Sequence, residues 1–125
     1  MKVSEIMNKA MVVEDDISLK EAAEIMSDKN MGSLIVMKKE SIVGIITDAD
    51  ILKNVSNLSK KISSVMSKNI VTIEHNEDID NAAHLMAKYR IKRLPVVKKG
   101  NLIGILTATD LIANSDALNE SFFFE

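Results

Sequence analysis

The 125-residue sequence has no cysteine. That excludes a disulfide framework and any thiolate chemistry, and the simplest home for such a chain is the cytoplasm. It also lacks long apolar runs. The longest purely apolar stretches are a few residues, far short of the roughly twenty a membrane helix requires, so no membrane partner is expected. Met1-Lys2-Val3-Ser4-Glu5 shows none of the apolar region of a signal peptide. An excess of one charge is absent too. Sixteen Lys and Arg stand against 18 Asp and Glu, interleaved, for a net charge of −2. Nucleic-acid binding wants a concentrated basic face, so nucleic acid is not the expected partner. Aromatics are few: Tyr89 and Phe122 to Phe124. His75 and His84 are the only histidines. With no cysteine and no close histidine pair, metal-ligand spacing is missing. No nucleophile, base and orienting group form a set, so the chain is not expected to be an enzyme and no cofactor is expected.

What is there reads as an ordinary soluble globular chain, 46% hydrophobic and 27% charged. Its length is about one domain, enough to bury roughly two thirds of the unfolded surface without staples. Carboxylates are plentiful but scattered, and Glu14-Asp15-Asp16 reads as a solvated loop before a helix. Eight methionines read as flexible core filler.

The dominant feature is repetition. Gly44-Ile45-Ile46-Thr47-Asp48-Ala49-Asp50 returns as Gly104-Ile105-Leu106-Thr107-Ala108-Thr109-Asp110. Between Ala22–Leu52 and Ala82–Ile112, at an offset of 60, eleven of 31 positions are identical. Upstream the offset reads as 59, pairing Met7 with Met66 and Val12 with Val71. This implies one residue inserted in the second copy, in the loop around Glu74 to Asn76. Such a repeat decides architecture before any local reading.

Each copy has the same grammar. Met11-Val12-Val13 and Ile70-Val71-Thr72-Ile73 read as strands. Leu19, Ala22, Ala23 and Met26 fall at helical spacing, as do Ile79, Ala82, Ala83 and Met86. Ser18 with Glu21 fits a capping box, and Asp78 holds the matching position. Leu34–Met37 with Ile42–Ile46, and Leu94–Val97 with Leu102–Leu106, read as hairpins. A short helix then opens at Thr47 or Thr107. The expected fold class is α/β (α+β): two pseudo-symmetric β-α-β-β-α repeats packed sheet to sheet as one globule. Repeat 1 covers 1–54, a linker 55–61, repeat 2 covers 62–114, and a tail 115–125.

The recurring Gly-h-h-Thr-x-x-Asp (h, apolar) supports two readings. In one, Thr at the N-cap with Asp at N3 is a capping box and nothing more. In the other, a strand feeding a helix presents backbone N–H groups that suit phosphate. The Thr hydroxyl adds a donor, and the Asp carboxylate can accept from the two vicinal hydroxyls of a ribose. Asp48 would repel a phosphate if it pointed inward, a liability that Ala108 lacks.

The repeat closing on this motif, together with Arg93-Leu94-Pro95-Val96-Val97, resembles the cystathionine-β-synthase (CBS) domain family. The two copies resemble a tandem pair, or Bateman module, over residues 1 to about 114. That resemblance implies a regulatory sensor whose ligand is AMP, ADP, ATP, S-adenosylmethionine or another adenosyl compound, bound in two clefts between the repeats. It also implies a homodimer and no catalysis. The first cleft would hold Ile45, Thr47, Ala49 and Asp50, faced by Ile70, Lys92, Arg93 and Pro95. The second would hold Ile105, Thr107, Thr109 and Asp110, faced by Met11, Met31, Gly32 and Ser33. With Lys92 and Arg93 facing it, the Asp50 cleft is expected to be the better phosphate site. No catalytic or DNA-binding domain is recognised, so the expected output is in trans, on an unknown protein effector. The rival reading is a dimerisation scaffold that binds no ligand. Phe122 to Phe124 are expected to fold back, pack across a dimer or bind a partner.

Overall fold

The structure, a computed structural model, describes residues 1–117. Phe122 to Phe124 lie outside them. Contacts divide the chain into two compact units.

The unit Met11–Ile70 contains strand β1 (Val12–Glu14), helix α2 (Leu19–Lys29), strands β2 (Ser33–Lys38) and β3 (Ser41–Thr47), and helix α3 (Asp48–Lys53). β1 pairs parallel with β2, and β2 antiparallel with β3. The expected capping box starts α2: Ser18 Oγ accepts from Glu21 N–H at 3.1 Å, and Glu21 Oε1 accepts from Ser18 N–H at 3.3 Å. Leu19, Ala22 and Met26 then bury one helix stripe against Leu34, Val36 and Ile46 of the sheet. Asn30 closes the helix in the left-handed region, φ 54°, a conformation Asn tolerates better than most residues.

The second unit joins Met1–Ala10 to the chain from Val71 onward. It begins with one helical turn, α1 (Val3–Ile6). Strand β4 (Ile73–Glu74), helix α4 (Ile79–Tyr89), strands β5 (Arg93–Lys98) and β6 (Asn101–Thr107), and helix α5 (Ala108–Ala113) follow. The sheet repeats the order β4-β5-β6 with the same parallel and antiparallel pairings. Ile79, Ala82, Ala83 and Met86 are all buried, with Leu94, Val96 and Leu106 beneath them. The fold is therefore mixed α and β, with two three-stranded sheets.

Neither unit is one sequence repeat. The fully buried Val3 and the N-terminal segment complete the unit built on the second repeat, with Val3 N–H donating to Glu77 O at 2.9 Å. Ile62, fully buried in a 3₁₀ turn at Ile62–Ser64, plays that part in the other unit and donates to Ile17 O at 2.9 Å. The opening segment of each repeat thus completes the unit built on the rest of the other.

Two details depart from the sequence reading. Pairing of Val13 with Val36 and of Ile73 with Val96 sets the strand offset at 60. Asn8 opposite Ile105 and Ser67 opposite Ile45 keep the offset at 59 further upstream. The extra residue therefore lies between Ser67 and Ile73, not at Glu74 to Asn76. The expected strand from Ile70 is also shorter, only Ile73–Glu74. Proline explains the shortening. Ile35 N–H donates to Met11 O at 2.8 Å; Pro95 holds the equivalent place and has no N–H to give Val71. The ladder starts one step later.

Candidate functional site

Both Gly-h-h-Thr-x-x-Asp segments form the same corner. Gly44 and Gly104 sit opposite Val36 and Val96, where each hairpin shifts register. Each glycine seats a methionine. A Cβ on Gly44 would lie 2.4 Å from Met66 Sδ, and one on Gly104 would lie 2.7 Å from Met7 Sδ and 2.9 Å from the Asn8 carbonyl oxygen. The glycine permits this close approach, because a Cβ there would have to displace the sulfur.

The strand then ends at the threonine, which caps a six-residue helix. Asp50 Oδ2 accepts from Thr47 N–H at 2.9 Å and from Thr47 Oγ1 at 3.1 Å. Asp110 Oδ2 accepts from Thr107 N–H and Oγ1, both at 2.8 Å. The capping reading is therefore realised in both copies. It uses half of each carboxylate: among the described residues every bond to the Asp50 and Asp110 side chains falls on Oδ2. Oδ1 remains for a hydroxyl donor.

The neighbours of the two corners differ. In the Asp50 corner, Ser33 pairs with Thr47 and Asp48 N–H donates to Gly32 O at 3.0 Å. Asp48 Oδ1 accepts from Ala49 N–H at 2.8 Å, and Asp50 N–H goes to Thr47 Oγ1 at 3.4 Å. Asp48 thus places its own negative charge on the N–H group an anion would use. In the Asp110 corner, Arg93 pairs with Thr107 and Ala108 N–H donates to Lys92 O at 2.8 Å. Ala108 has no carboxylate, so among the described residues nothing equivalent occupies the Thr109 N–H.

The unit Met11–Ile70 holds Ile45, Thr47, Ala49 and Asp50 with Met11, Met31, Gly32, Ser33 and Ile70. The other holds Ile105, Thr107, Thr109 and Asp110 with Lys92, Arg93 and Pro95. Register thus joins each Thr-Asp motif to the preceding segment of its own repeat. By the strand offset, Met11 corresponds to Val71, the residue after Ile70.

Sequence reasoning passed over one residue. Asn8 Nδ2 donates to Asp110 Oδ2 at 2.8 Å, across 102 residues of sequence. Its counterpart Ser67 makes the same backbone bridge without reaching Asp50. The available signal was the Met7-Asn8 and Met66-Ser67 pair of the repeat itself.

The CBS domain family model matches residues 3–57 and 62–116. The chain belongs to the CBS domain family. CBS domain-containing protein YhcV of Bacillus subtilis is 34% identical over 108 residues, covering 83% of this chain and 76% of that protein. Other curated relatives are longer, and the chain spans from about a fifth to seven tenths of their lengths. An inosine-5'-monophosphate dehydrogenase of Nitrosopumilus maritimus is 34% identical over 111 residues, which is 87% of this chain but 23% of the enzyme. Among solved structures, the CBS domain pair of protein MJ0100, in complex with 5'-methylthioadenosine and S-adenosyl-L-methionine, superimposes with a TM-score of 0.86 at 32% identity. It covers 93% of this chain and 96% of that one. CBSX2 in complex with AMP gives a TM-score of 0.78 at 27% identity, covering 91% and 95%. Both of these solved structures therefore carry adenosine-containing ligands. Among the described residues no helix is long and apolar enough to cross a membrane.

Proposed function

We propose that this CBS domain pair is a regulatory module that binds an adenosine-containing ligand and passes its occupancy to a protein effector in trans. The ligand class is AMP, ADP, ATP or S-adenosylmethionine. The observation that carries the reading is the doubled Thr-Asp corner, whose carboxylates keep Oδ1 for a hydroxyl donor. The ligands of the two similar CBS pairs support the choice. The repeats are 1–54 and 62–114, joined by 55–61. Each site draws the Thr-Asp motif of one repeat and a facing segment of the other: Ile70, Lys92, Arg93 and Pro95 for Asp50, and Met11, Met31, Gly32 and Ser33 for Asp110. The module works as a cytoplasmic homodimer and catalyses no step itself.

A second reading concerns phosphate. Arg93 pairs with Thr107, and Ala108 leaves the Asp110 helix without a competing carboxylate. These features favour the Asp110 corner, in place of the Asp50 cleft, as the phosphate-binding one.

A thermal-shift panel with AMP, ADP, ATP, S-adenosylmethionine and NAD tests the main reading. A ligand at a hundred times its Kd should stabilise by about 2.7 kcal/mol. No shift with any of them would favour a dimerisation scaffold that binds no ligand. For the second reading, Arg93→Ala should weaken AMP at least roughly tenfold, as a charge-assisted contact requires, and leave adenosine nearly unchanged. Measured in Asp50→Ala and Asp110→Ala backgrounds, the loss will appear at the site whose phosphate Arg93 serves. Equal losses for AMP and adenosine would remove the phosphate role.

A further inference from the structure

The Asp110 carboxylate is held by two segments. Thr107 supplies two donors to Oδ2 at 2.8 Å, and Asn8 supplies a third at 2.8 Å. Asn8 is itself fixed. Its N–H donates to Ile105 O at 2.8 Å, and its carbonyl accepts from Ile105 N–H at 2.9 Å. An amide has one donor end and one acceptor end. With the donor end on a carboxylate, the acceptor end must point away, because oxygen against a charged oxygen is repulsive. Asn8 is an exposed residue, so an acceptor end turned away from the carboxylate is turned toward solvent or a ligand. Beside Asp110 there are therefore two acceptors on different groups, the Asp110 Oδ1 and the Asn8 amide oxygen. Ser67 bridges Ile45 with bonds of 3.0 Å in both directions, yet makes no bond to Asp50. Among the described residues no second side chain is bonded to the Asp50 carboxylate besides Thr47.

We propose that Asn8 is a specificity-determining residue of the Asp110 site, its amide oxygen accepting from one ribose hydroxyl while Asp110 accepts from the other. This rests on the adenosyl-ligand reading and adds a sugar selectivity that the Asp50 site lacks. Asn8 contributes twice: it orients the carboxylate, and it supplies the second acceptor.

The test is a cycle between residue and ligand. Binding of AMP, 2'-deoxy-AMP and 3'-deoxy-AMP is measured by calorimetry in an Asp50→Ala background, with Asn8 intact and with Asn8→Ala. With Asn8 intact, both deletions should weaken binding. With Asn8→Ala, the penalty for one of the two hydroxyls should shrink roughly fivefold, the size of one neutral hydrogen bond. A merely structural role would weaken all three ligands alike, and that result would overturn the proposal. So would tighter binding in Asn8→Ala, which would mean that Asn8 competes with the sugar. If Asn8→Ala fails to fold, Ser67→Asn in an Asp110→Ala background serves instead. It should create a penalty at the Asp50 site that Ser67 does not give, and an unchanged penalty there counts against the proposal. Absence of binding by every nucleotide to the unmodified chain would overturn the adenosyl reading itself. Binding with penalties that ignore residue 8 would overturn only the role of Asn8.

Discussion

The Asp50 and Asp110 corners share a motif and differ in nearly everything that surrounds it. Both cap a six-residue helix with Thr and Asp. The first covers its helix start with Asp48, has Gly32 and Ser33 beside the threonine, and leaves Ser67 short of the carboxylate. The second has Ala108 there, sets Lys92 and Arg93 beside the threonine, and anchors the carboxylate with Asn8. The motif's own hydrogen bonds build the corner; its neighbours decide which charge and which donor it offers. A repeated motif therefore does not imply a repeated site.

The largest expected effect probes a backbone bond that the two copies do not share. Ile35→Pro removes the donor to Met11 O and replaces a fully buried side chain. It should cost about 3 kcal/mol or more, from a carbonyl left without its partner plus lost packing. Urea unfolding measures this, and a cost below about 1 kcal/mol would show that the bond carries no weight. The reverse exchange, Pro95→Ile, supplies the missing donor. Hydrogen exchange at residue 95 should then show a protected amide and a β4 one residue longer.

Next come the glycines. Gly104→Ala meets a backbone oxygen at 2.9 Å as well as the Met7 sulfur, whereas Gly44→Ala meets only the Met66 side chain. A methionine can re-pack and a backbone carbonyl in a bridge cannot. Gly104→Ala should lose about 2–3 kcal/mol and Gly44→Ala about 1 kcal/mol, compared by the same unfolding measurement. Equal losses would mean that Met7 and the Asn8 carbonyl yield together.

The smallest effect on stability belongs to Asp48→Ala, which copies Ala108. Losing a carboxylate at a helix start costs about 0.3–1 kcal/mol. Affinity for AMP relative to adenosine at the Asp50 site should rise, because Asp48 no longer occupies the Ala49 N–H. An unchanged ratio would show that phosphate does not approach that helix start.

Much of this was legible beforehand, for physical reasons. Apolar residues at helical spacing and paired β-rich runs announce α2, α4 and both hairpins, because burial of one face demands that pattern. Ser18-Glu21 and the two Thr-Asp pairs are local bonds three residues apart, and local bonds leave local signatures. The strand before α4 was misjudged because Val12 and Val71 align well at the wrong offset. Burial of Ile73 and the missing N–H of Pro95 set the true register. Asn8 beside Asp110 leaves only a faint signal, the Met7-Asn8 and Met66-Ser67 pair of the repeat, because local spacing does not encode a meeting across 102 residues.

The repeat, the order of elements, the caps and the chemistry each corner can offer are all written in the chain. Which segment completes which unit, where the extra residue sits, and that Asn8 rather than Ser67 reaches a carboxylate emerge from packing between distant segments. The first group depends on contacts a few residues apart, where composition and spacing are the geometry. The second depends on strands and bridges joining distant segments, and there a single proline or one longer side chain chooses between two nearly equivalent arrangements.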